Sequence, residues 1–458
     1  MSEHHLLPDP ISGAADPARR LAFGFGTRFL LLFLVGFAWI IPAFWNRTFL
    51  YGLYAWDAVL LIVWVVDLLR LPKRGEVQIE RSWIGVPAIE STSQVLLTVA
   101  NRSRITARCE LEDDLPPPFR VRESIERLEV ASLRRTTVRY VVTAMQRGDF
   151  KTGKTYLKVQ SGMRFAERWY VADLTQELRI YPNIEAAKKN SMFLSRSRQI
   201  ELEKRRLRQR GLGREFESLR DYQEGDELRD ICWTASARRG KLITRVYNIE
   251  RSQPVWIVLD TGRLLRAQVD ELNKLDFAAE AALNLAQLAL YSGDRVGLLG
   301  YGRQIKHRVP LGRGLPHLRA IVEELATAKA EVAEADHLRA AGMLLSMQKR
   351  RGLIVWITDL AETAMTPEVI EGASLMLKRN LVLFMVIGDP ALTRKATSRP
   401  KNSEQMYEMV AAQEMLHRRE VIISRLRDRG ALAMEVAPGQ LSVAVMSQYL
   451  MIKERSLI

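Results

Sequence analysis

Pro254-Val-Trp-Ile-Val-Leu-Asp260 and Leu353-Ile-Val-Trp-Ile-Thr-Asp359 are apolar runs of strand length, and each ends on an aspartate. A run without polar alternation fits a strand buried on both faces, as in a parallel sheet covered by helices. The residues around these runs agree with that reading. An Ala/Leu-rich helix is expected over 272–291, a strand over Arg295-Val-Gly-Leu-Leu-Gly-Tyr301, and helices near 315–328 and 337–349. Strands at 381–387 and 431–436 complete the set after one more helix. This alternation predicts a doubly wound, largely parallel α/β sheet over 252–458. Ligands on such sheets bind beyond the carboxyl ends of the strands, where Asp260 and Asp359 are expected.

Toward the N-terminus the pattern changes twice. Phe29 to Trp45 (FLLLFLVGFAWIIPAFW) carries no charge, and Phe49 to Leu69 (FLYGLYAWDAVLLIVWVVDLL) carries only Asp57 and Asp67. A bilayer core of ~30 Å takes about 20 apolar residues in a helix. The sequence therefore predicts a transmembrane helical hairpin over 29–70, turning at Asn46, Arg47 and Thr48, after an N-terminal tail over 1–28. Arg19, Arg20 and Arg28 precede it, Arg70, Lys73 and Arg74 follow it, and the turn holds only Arg47. The positive-inside rule then puts both ends and the soluble domains in the cytoplasm, at the plasma (inner) membrane. Asp57 is expected near the interface or satisfied within the hairpin.

Over 76–185 the period is two. Val95–Val99, Ala107–Leu111, Thr137–Val142 and Tyr156–Val159 alternate or carry β-branched residues, and prolines 116–118 with glycines 148, 153 and 162 punctuate them. A small β-sandwich is expected. Asn101-Arg-Ser103 has the form of a glycosylation sequon and Arg147-Gly-Asp149 that of an adhesion tripeptide. A cytoplasmic address makes the first idle, and a glycine turn explains the second.

Residues 188–251 hold 17 Lys or Arg against 10 Asp or Glu, and Ser195 to Arg210 reads as a solvated charged helix. The segment then becomes specific: Gly213-Arg214-Glu215-Phe216, Leu219-Arg220-Asp221-Tyr222, Gly225-Asp226, Arg229-Asp230-Ile231 and Trp233-Thr-Ala-Ser-Ala-Arg238. Arg220, Arg229 and Arg238 can pair with Glu215, Asp226 and Asp230 around Tyr222 and Trp233, because guanidinium forks match carboxylates and stack on aromatic rings. A rigid polar plug or a recognition surface results. This string resembles the signature of the bacterial family called domain of unknown function 58: G-x-E-F, L-R-x-Y, G-D, R-x-I-x-W and A-x-A-R. The resemblance implies a membrane-anchored protein whose C-terminal part is similar to a von Willebrand factor A domain. It also implies a partner, an AAA+ ATPase of the MoxR type, and no catalytic residue.

A von Willebrand A domain holds Mg²⁺ through Asp-x-Ser-x-Ser, a loop threonine and a second aspartate, and octahedral Mg²⁺ needs those oxygens. Here the loop reads Asp260-Thr261-Gly262-Arg263-Leu264, so both serines are gone and a cation is added. Asp260 and Asp359 remain as a degenerate metal pair, with Asp336 in the region of the missing threonine. No cofactor is expected, and Asp260 is read as a cap or the partner of an arginine. The Gly300–Gly302 and Gly312–Gly314 pairs are read as turns, and 394–402 as a basic loop.

Composition sets the outer limits. The chain has 458 residues, 47% hydrophobic and 26% charged, and 68 basic against 53 acidic residues give it +15. That excludes a disordered or fibrous chain and favours an anionic neighbour. Cys109 and Cys232 are too far apart for a metal knuckle, and none of the six histidines forms an HExxH pair. No nucleic-acid motif accompanies the charge, so nucleic acid is not an expected partner. The reading is a membrane-anchored, non-enzymatic adaptor acting in envelope or protein-assembly processes, partnered by the lipid bilayer and the ATPase. The alternative is a membrane-bound hydrolase or nuclease using the Asp/Glu/Arg cluster at 213–238.

Overall fold

The computed structural model describes residues 7–19, 22–121, 125–183, 215–223, 226, 228–248, 252–360 and 366–455. The chain divides into two compact units, Met1–Asn183 and Ile184–Ile458.

In the first unit, alternating strands fold two antiparallel sheets over one core. Along Val77–Ile84 and Thr92–Asn101 every second side chain is buried, and Ile79, Val95, Leu97 and Val99 meet Cys109, Leu111, Leu157 and Val159 from the other sheet. Three inward positions of these strands are polar, Arg81, Ser93 and Asn101, and one of them is charged. Arg81 is fully buried, and its guanidinium forks onto Asp113 and donates to the Leu174 carbonyl at 2.8 Å. Asp113 also accepts from the hydroxyls of Thr155, at 2.7 Å, and Tyr140. The buried charge is thus paired and its lone pairs are filled, which is the condition for tolerating it in a core.

The described residues of the stretch expected as an N-terminal tail over 1–28 include strands of this fold. Ile11–Pro17 is a strand whose first half, Ile11 to Ala14, pairs antiparallel with Val77–Ile84. Its second half, Ala15 to Pro17, pairs with Ala166–Ala172. It crosses from one sheet to the other and closes the corner between them. Phe23–Phe25 adds a short strand to the same Ala166–Ala172 edge. The small residues of Ile11-Ser-Gly-Ala-Ala-Asp-Pro17 suit this place: Ala15 is fully buried, and a Cβ at Gly13 would meet the Asp173 carbonyl at 3.1 Å.

Helices follow this strand before the sheets resume. Phe49–Arg70 is long and apolar enough to cross a membrane, and only 11% of its most apolar stretch is buried. The apolar segment before it, Thr27–Ala43, is as long as the span expected over Phe29 to Trp45, falls short of the about 20 residues that cross a bilayer, and is interrupted by a 3-10 turn at Phe37–Trp39. The two segments touch, with the Trp56 indole donating to the Leu32 carbonyl at 3.0 Å and Gly36 set against the Trp56 ring. Asp57 Oδ1 is buried there with no hydrogen-bond partner among the described residues. Asp67, in the last turn of Phe49–Arg70, is buried against the β-domain instead.

The two short motifs are structural. Asn101 is buried and donates to the carbonyls of Ile105 and Val130, while Gly148 takes φ +127° where the strand Gly148–Lys151 begins.

The second unit contains a six-stranded sheet in the order Ile305–Gly312, Arg295–Tyr301, Pro254–Asp260, Leu353–Thr358, Leu381–Ile387, Leu432–Val436. The first pairing is antiparallel and the other four are parallel. Trp256, Val258, Trp356 and Phe384 face the helices His337–Met347, Thr366–Leu377 and Ser403–Asp428. Lys274–Tyr291 and Leu441–Glu454 pack together on the sheet as well. Of residues 394–402, expected as a basic loop, the first four end the helix Pro390–Thr397, which Asp389 caps, and 398–402 connect it to the long Ser403–Asp428 helix with Asn402 as its cap. The edge strand Ile305–Gly312 was not expected either, since its charges at Lys306, His307 and Arg308 hide the pattern. The charged helix expected over Ser195 to Arg210 lies outside the described residues.

Replacing Asp113 by Ala leaves the Arg81 guanidinium buried without its counter-ion, a loss of about 3–5 kcal/mol. Amide exchange of Val77–Ile84 and Thr155–Gln160 is expected to accelerate accordingly, and an Arg81→Met, Asp113→Leu double variant to regain most of the protection. Unchanged exchange in Asp113→Ala would show that the pair carries no weight in the fold.

Candidate functional site

At the carboxyl edge of the six-stranded sheet the parallel strands deliver Asp260 and Asp359 side by side, both buried. Asp260 Oδ1 accepts the Gly262 amide at 2.7 Å, and Oδ2 accepts the Thr358 hydroxyl at 2.6 Å. Burial raises the Asp260 carboxyl to about 7, against these two hydrogen bonds that favour its charged form.

Asp359 is held by two cations. Lys274 Nζ donates to Oδ2 at 2.8 Å and Arg419 Nη2 to Oδ1 at 2.8 Å. Lys274 is 2% exposed. It begins the helix Lys274–Tyr291, whose start is fixed by a capping box between Asn273 and Asp276. Its ammonium also reaches Asp389 Oδ2 at 3.1 Å, while Asp389 Oδ1 caps the Pro390–Thr397 helix. Arg419, deep in the long helix, donates in addition to Glu435 at 2.9 Å and to the Leu360 carbonyl at 2.9 Å. Five charged groups from five elements therefore close on one another.

This arrangement does not fit a divalent cation. Both Asp359 oxygens face cations, and both Asp260 oxygens are spent on protein donors. At Gly262, in the place of the first serine, a Cβ would come within 2.9 Å of the Ala335 backbone nitrogen and side chain. A serine there has no room, so the loss of the motif is built into the packing. Asp336 caps the His337–Met347 helix through the Arg339 amide at 2.8 Å, and Arg263 pairs with Glu334 at 2.6 Å. Among the described residues no group of three His, Cys, Asp or Glu side chains is placed to hold a metal. Of the two roles expected for Asp260, a cap or the partner of an arginine, it takes neither a helix cap nor an arginine but closes its own turn through the Gly262 amide, and Asp359 takes the arginine. Lys274 and Arg419 were missed by the sequence reading. A lysine opening an otherwise apolar Ala/Leu helix was the available signal for the first, and Arg419, inside a polar run, gave none.

The signature segment forms a two-stranded hairpin, Glu215–Asp221 against Ile243–Asn248, enclosing the short helix Trp233–Arg239. Arg220 Nη2 and Asp226 Oδ1 pair at 2.6 Å, and Asp226 Oδ2 accepts the Gln223 amide at 3.0 Å. These contacts shape the turn after the first strand, and Tyr222 continues it by donating its amide to the Leu242 carbonyl. Ser236 Oγ accepts the Ile243 amide at 2.9 Å and ties the helix to the second strand. The Thr234 hydroxyl, followed by Arg245, brings the Cys232 thiol down to about 7. The Trp233 indole is 65% exposed, and Arg229 and Arg238 are exposed too. Arg214 and Gly225 lie outside the described residues, and Glu215 is placed by its backbone in the first strand.

The model of the family described as protein of unknown function DUF58 matches residues 218–394. Uncharacterized protein Rv1480 of Mycobacterium tuberculosis is 30% identical over 151 residues, 32% of this chain and 48% of that protein. Uncharacterized protein YeaD of Bacillus subtilis is 26% identical over 117 residues, 26% of this chain and 27% of its own length. The matched part thus spans about half or less of these curated relatives. Among solved structures, the conserved hypothetical protein BatB from Bacteroides thetaiotaomicron aligns over 44% of this chain and 100% of its own, with 14% identity and a TM-score of 0.30. Proximal thread matrix protein 1 from the mussel byssus aligns over 43% and 46%, with 10% identity and a TM-score of 0.28.

Two outcomes follow from the edge. The folded Asp260 carboxyl keeps its proton to about 7, against an ordinary 3.8 in the unfolded chain, so the folded state binds more protons between these values. Stability is therefore expected to fall as pH rises through that window, and Asp260→Asn to flatten the slope in urea titrations of the full chain. A slope as steep in Asp260→Asn as in wild type would assign it to another group. Lys274→Ala removes a buried cation from Asp359 and is expected to cost about 3–5 kcal/mol, with no recovery of the melting temperature by Mg²⁺. Rescue by Mg²⁺ would reveal a metal position beneath the lysine.

Proposed function

We propose that this chain is a membrane-anchored interaction protein without catalytic activity of its own. Its apolar helices cross the plasma membrane as a hairpin, and its soluble units face the cytoplasm. The observation that carries this reading is the strand Ile11–Pro17. It pairs with Val77–Ile84 and Ala166–Ala172, so the residues before and after the apolar helices belong to one folded unit. The chain between them crosses a bilayer an even number of times or not at all. If Phe49–Arg70 crosses, Thr27–Ala43 must cross back. At 1.5 Å per residue that segment rises about 25 Å, close to the ~30 Å hydrocarbon core. The basic flanks at Arg28, Arg70, Lys73 and Arg74, against Arg47 alone in the turn, favour the cytoplasm for both ends.

The six-stranded domain, in this reading, is a von Willebrand A-like doubly wound sheet that works as a docking module. Its carboxyl edge supports binding over chemistry in this reading, because Asp359 is engaged by two cations of the same domain and both oxygens of Asp260 are taken up by the Gly262 amide and the Thr358 hydroxyl. The resemblance of the signature segment supplies the partner class, an AAA+ ATPase of the MoxR type, and envelope or protein-assembly work as its setting. That step is analogy between folds and families. The exposed Trp233 and Arg238 of the signature hairpin are the side chains best placed to meet a partner.

Two experiments test the halves separately. A cysteine placed at Asn46 is expected to react with an impermeant maleimide in intact cells, and one at Lys151 only after lysis; equal labelling would end the hairpin reading. Tagged full-length protein, solubilised with ATP and Mg²⁺ present, is expected to retain an AAA+ ATPase, and a Trp233→Ala, Arg238→Ala variant to retain several-fold less. If wild type retains none even after crosslinking, the adaptor reading fails.

A further inference from the structure

The base of the apolar helices is clamped by one loop of the β-domain, and the composition of that clamp points to a ligand. Asp67, fully within the last turn of Phe49–Arg70, accepts through Oδ2 from the Ser161 hydroxyl at 2.7 Å and from the amides of Phe165 and Ala166 at 3.0 and 2.9 Å. Gly26, the residue before the helix Thr27–Gly36, donates its amide to the Phe165 carbonyl at 2.7 Å. A Cβ at Gly26 would lie 2.2 Å from the Arg164 carbonyl, so only glycine permits this approach. Arg28 reaches the Met163 carbonyl at 3.4 Å. Both helix bases thus rest on residues 161–166, and the loop tip is held out by the Ser161 Oγ, which accepts the amides of Met163 and Arg164.

What the tip presents is mixed in a specific way. Phe25, Met163 and Leu69 are exposed apolar side chains at 46, 44 and 71%. Beside them Arg28, Arg70 and Arg164 are exposed, and none has an ion-pair partner among the described residues. Arg164 is held at φ +60°, a backbone conformation that costs a non-glycine residue free energy. A collar of apolar side chains and unpaired guanidinium groups, at the end of a helix with a bare apolar surface, matches the boundary between acyl chains and headgroups. Guanidinium forks are matched by phosphate oxygens, and a net positive collar selects lipids with a net negative headgroup.

We propose that residues 161–166, with Arg28 and Arg70, form a binding site for anionic phospholipid headgroups in the leaflet beside the β-domain. Met163 and Phe25 dip toward the acyl chains, and the three arginines hold the phosphates. The site rests on the membrane reading above and deepens it, since it fixes the depth at which the β-domain meets the bilayer.

The test uses the full chain in nanodiscs of phosphatidylcholine containing a minority of phosphatidylglycerol, with the lipids that stay bound counted by native mass spectrometry. Wild type is expected to retain phosphatidylglycerol several-fold above its share of the bilayer, since a basic residue near an anionic surface favours it by roughly fivefold. An Arg28→Gln, Arg70→Gln, Arg164→Gln variant is expected to fall to the bulk ratio. The corresponding triple lysine variant, which keeps the charge, is expected to keep most of the enrichment, and its retention separates loss of charge from loss of fold. No enrichment in wild type, or equal enrichment in the glutamine variant, overturns the site while leaving the anchor standing. Failure of wild type to enter nanodiscs of any composition overturns the anchor and the site together. Inorganic phosphate added in excess is expected to leave the retained lipid unchanged, and displacement by it would identify a free-anion site instead.

Discussion

One pairing constrains the whole first unit. Ile11–Pro17 is made before the apolar helices, yet its backbone hydrogen bonds go to strands made after them. Those bonds cannot be exchanged for water without opening the corner between the two sheets, because Ala15 lies in the shared core. The strand therefore ties together the two ends of the Thr27–Arg70 excursion. Asp67 and Gly26 lock the same excursion at its base, so the helices leave and rejoin the β-domain at a fixed place. The unit is better described as a β-fold with a long apolar insertion than as an anchor followed by a domain.

Buried charge does similar work in both units. Arg81 with Asp113, and Lys274 with Asp359 and Arg419, are ions withdrawn from water and matched by several partners each. Such sets add little net stability over apolar packing of the same volume, but losing one member is costly. Their value is geometric. In the second unit the result is a sheet edge where Asp359 points at a lysine and an arginine of the same domain and Asp260 at its own turn and Thr358. An edge of this kind leaves no oxygen of Asp260 or Asp359 free for a cation.

Where the sequence could be read, local pattern was enough. The unbroken apolar runs at 254–260, 353–358 and 381–387 gave the centre of the parallel sheet, and period-two burial gave most strands of the β-domain. The failures share a cause. Ile11–Pro17 has no periodicity of its own, and its strand state comes entirely from partners far along the chain. Ile305–Gly312 is an edge strand, where charge on the open side masks alternation. Ser403–Asp428 is polar over much of its length, so no apolar stripe announces it. The edge itself was half legible: the aspartates follow from strand ends, whereas the cations that satisfy them come from helices that only folding brings near. The signature segment was legible as a unit, and of its expected pairings Arg220 with Asp226 is made, in the turn after the first strand.

The corner strand also bears on how the protein is made. Ile11–Pro17 is made before its partners and does not pair with them until Val77–Ile84 is made, and its register is complete only when Ala172 has followed. Until then both future neighbours present open backbone edges, which are sites for aggregation and proteolysis. Closing so distant a pairing is slow compared with forming helices. If the apolar helices cross a membrane as proposed, a nascent chain in which they fail to return to the starting side leaves the first strand away from its slot, and the β-domain keeps two open edges.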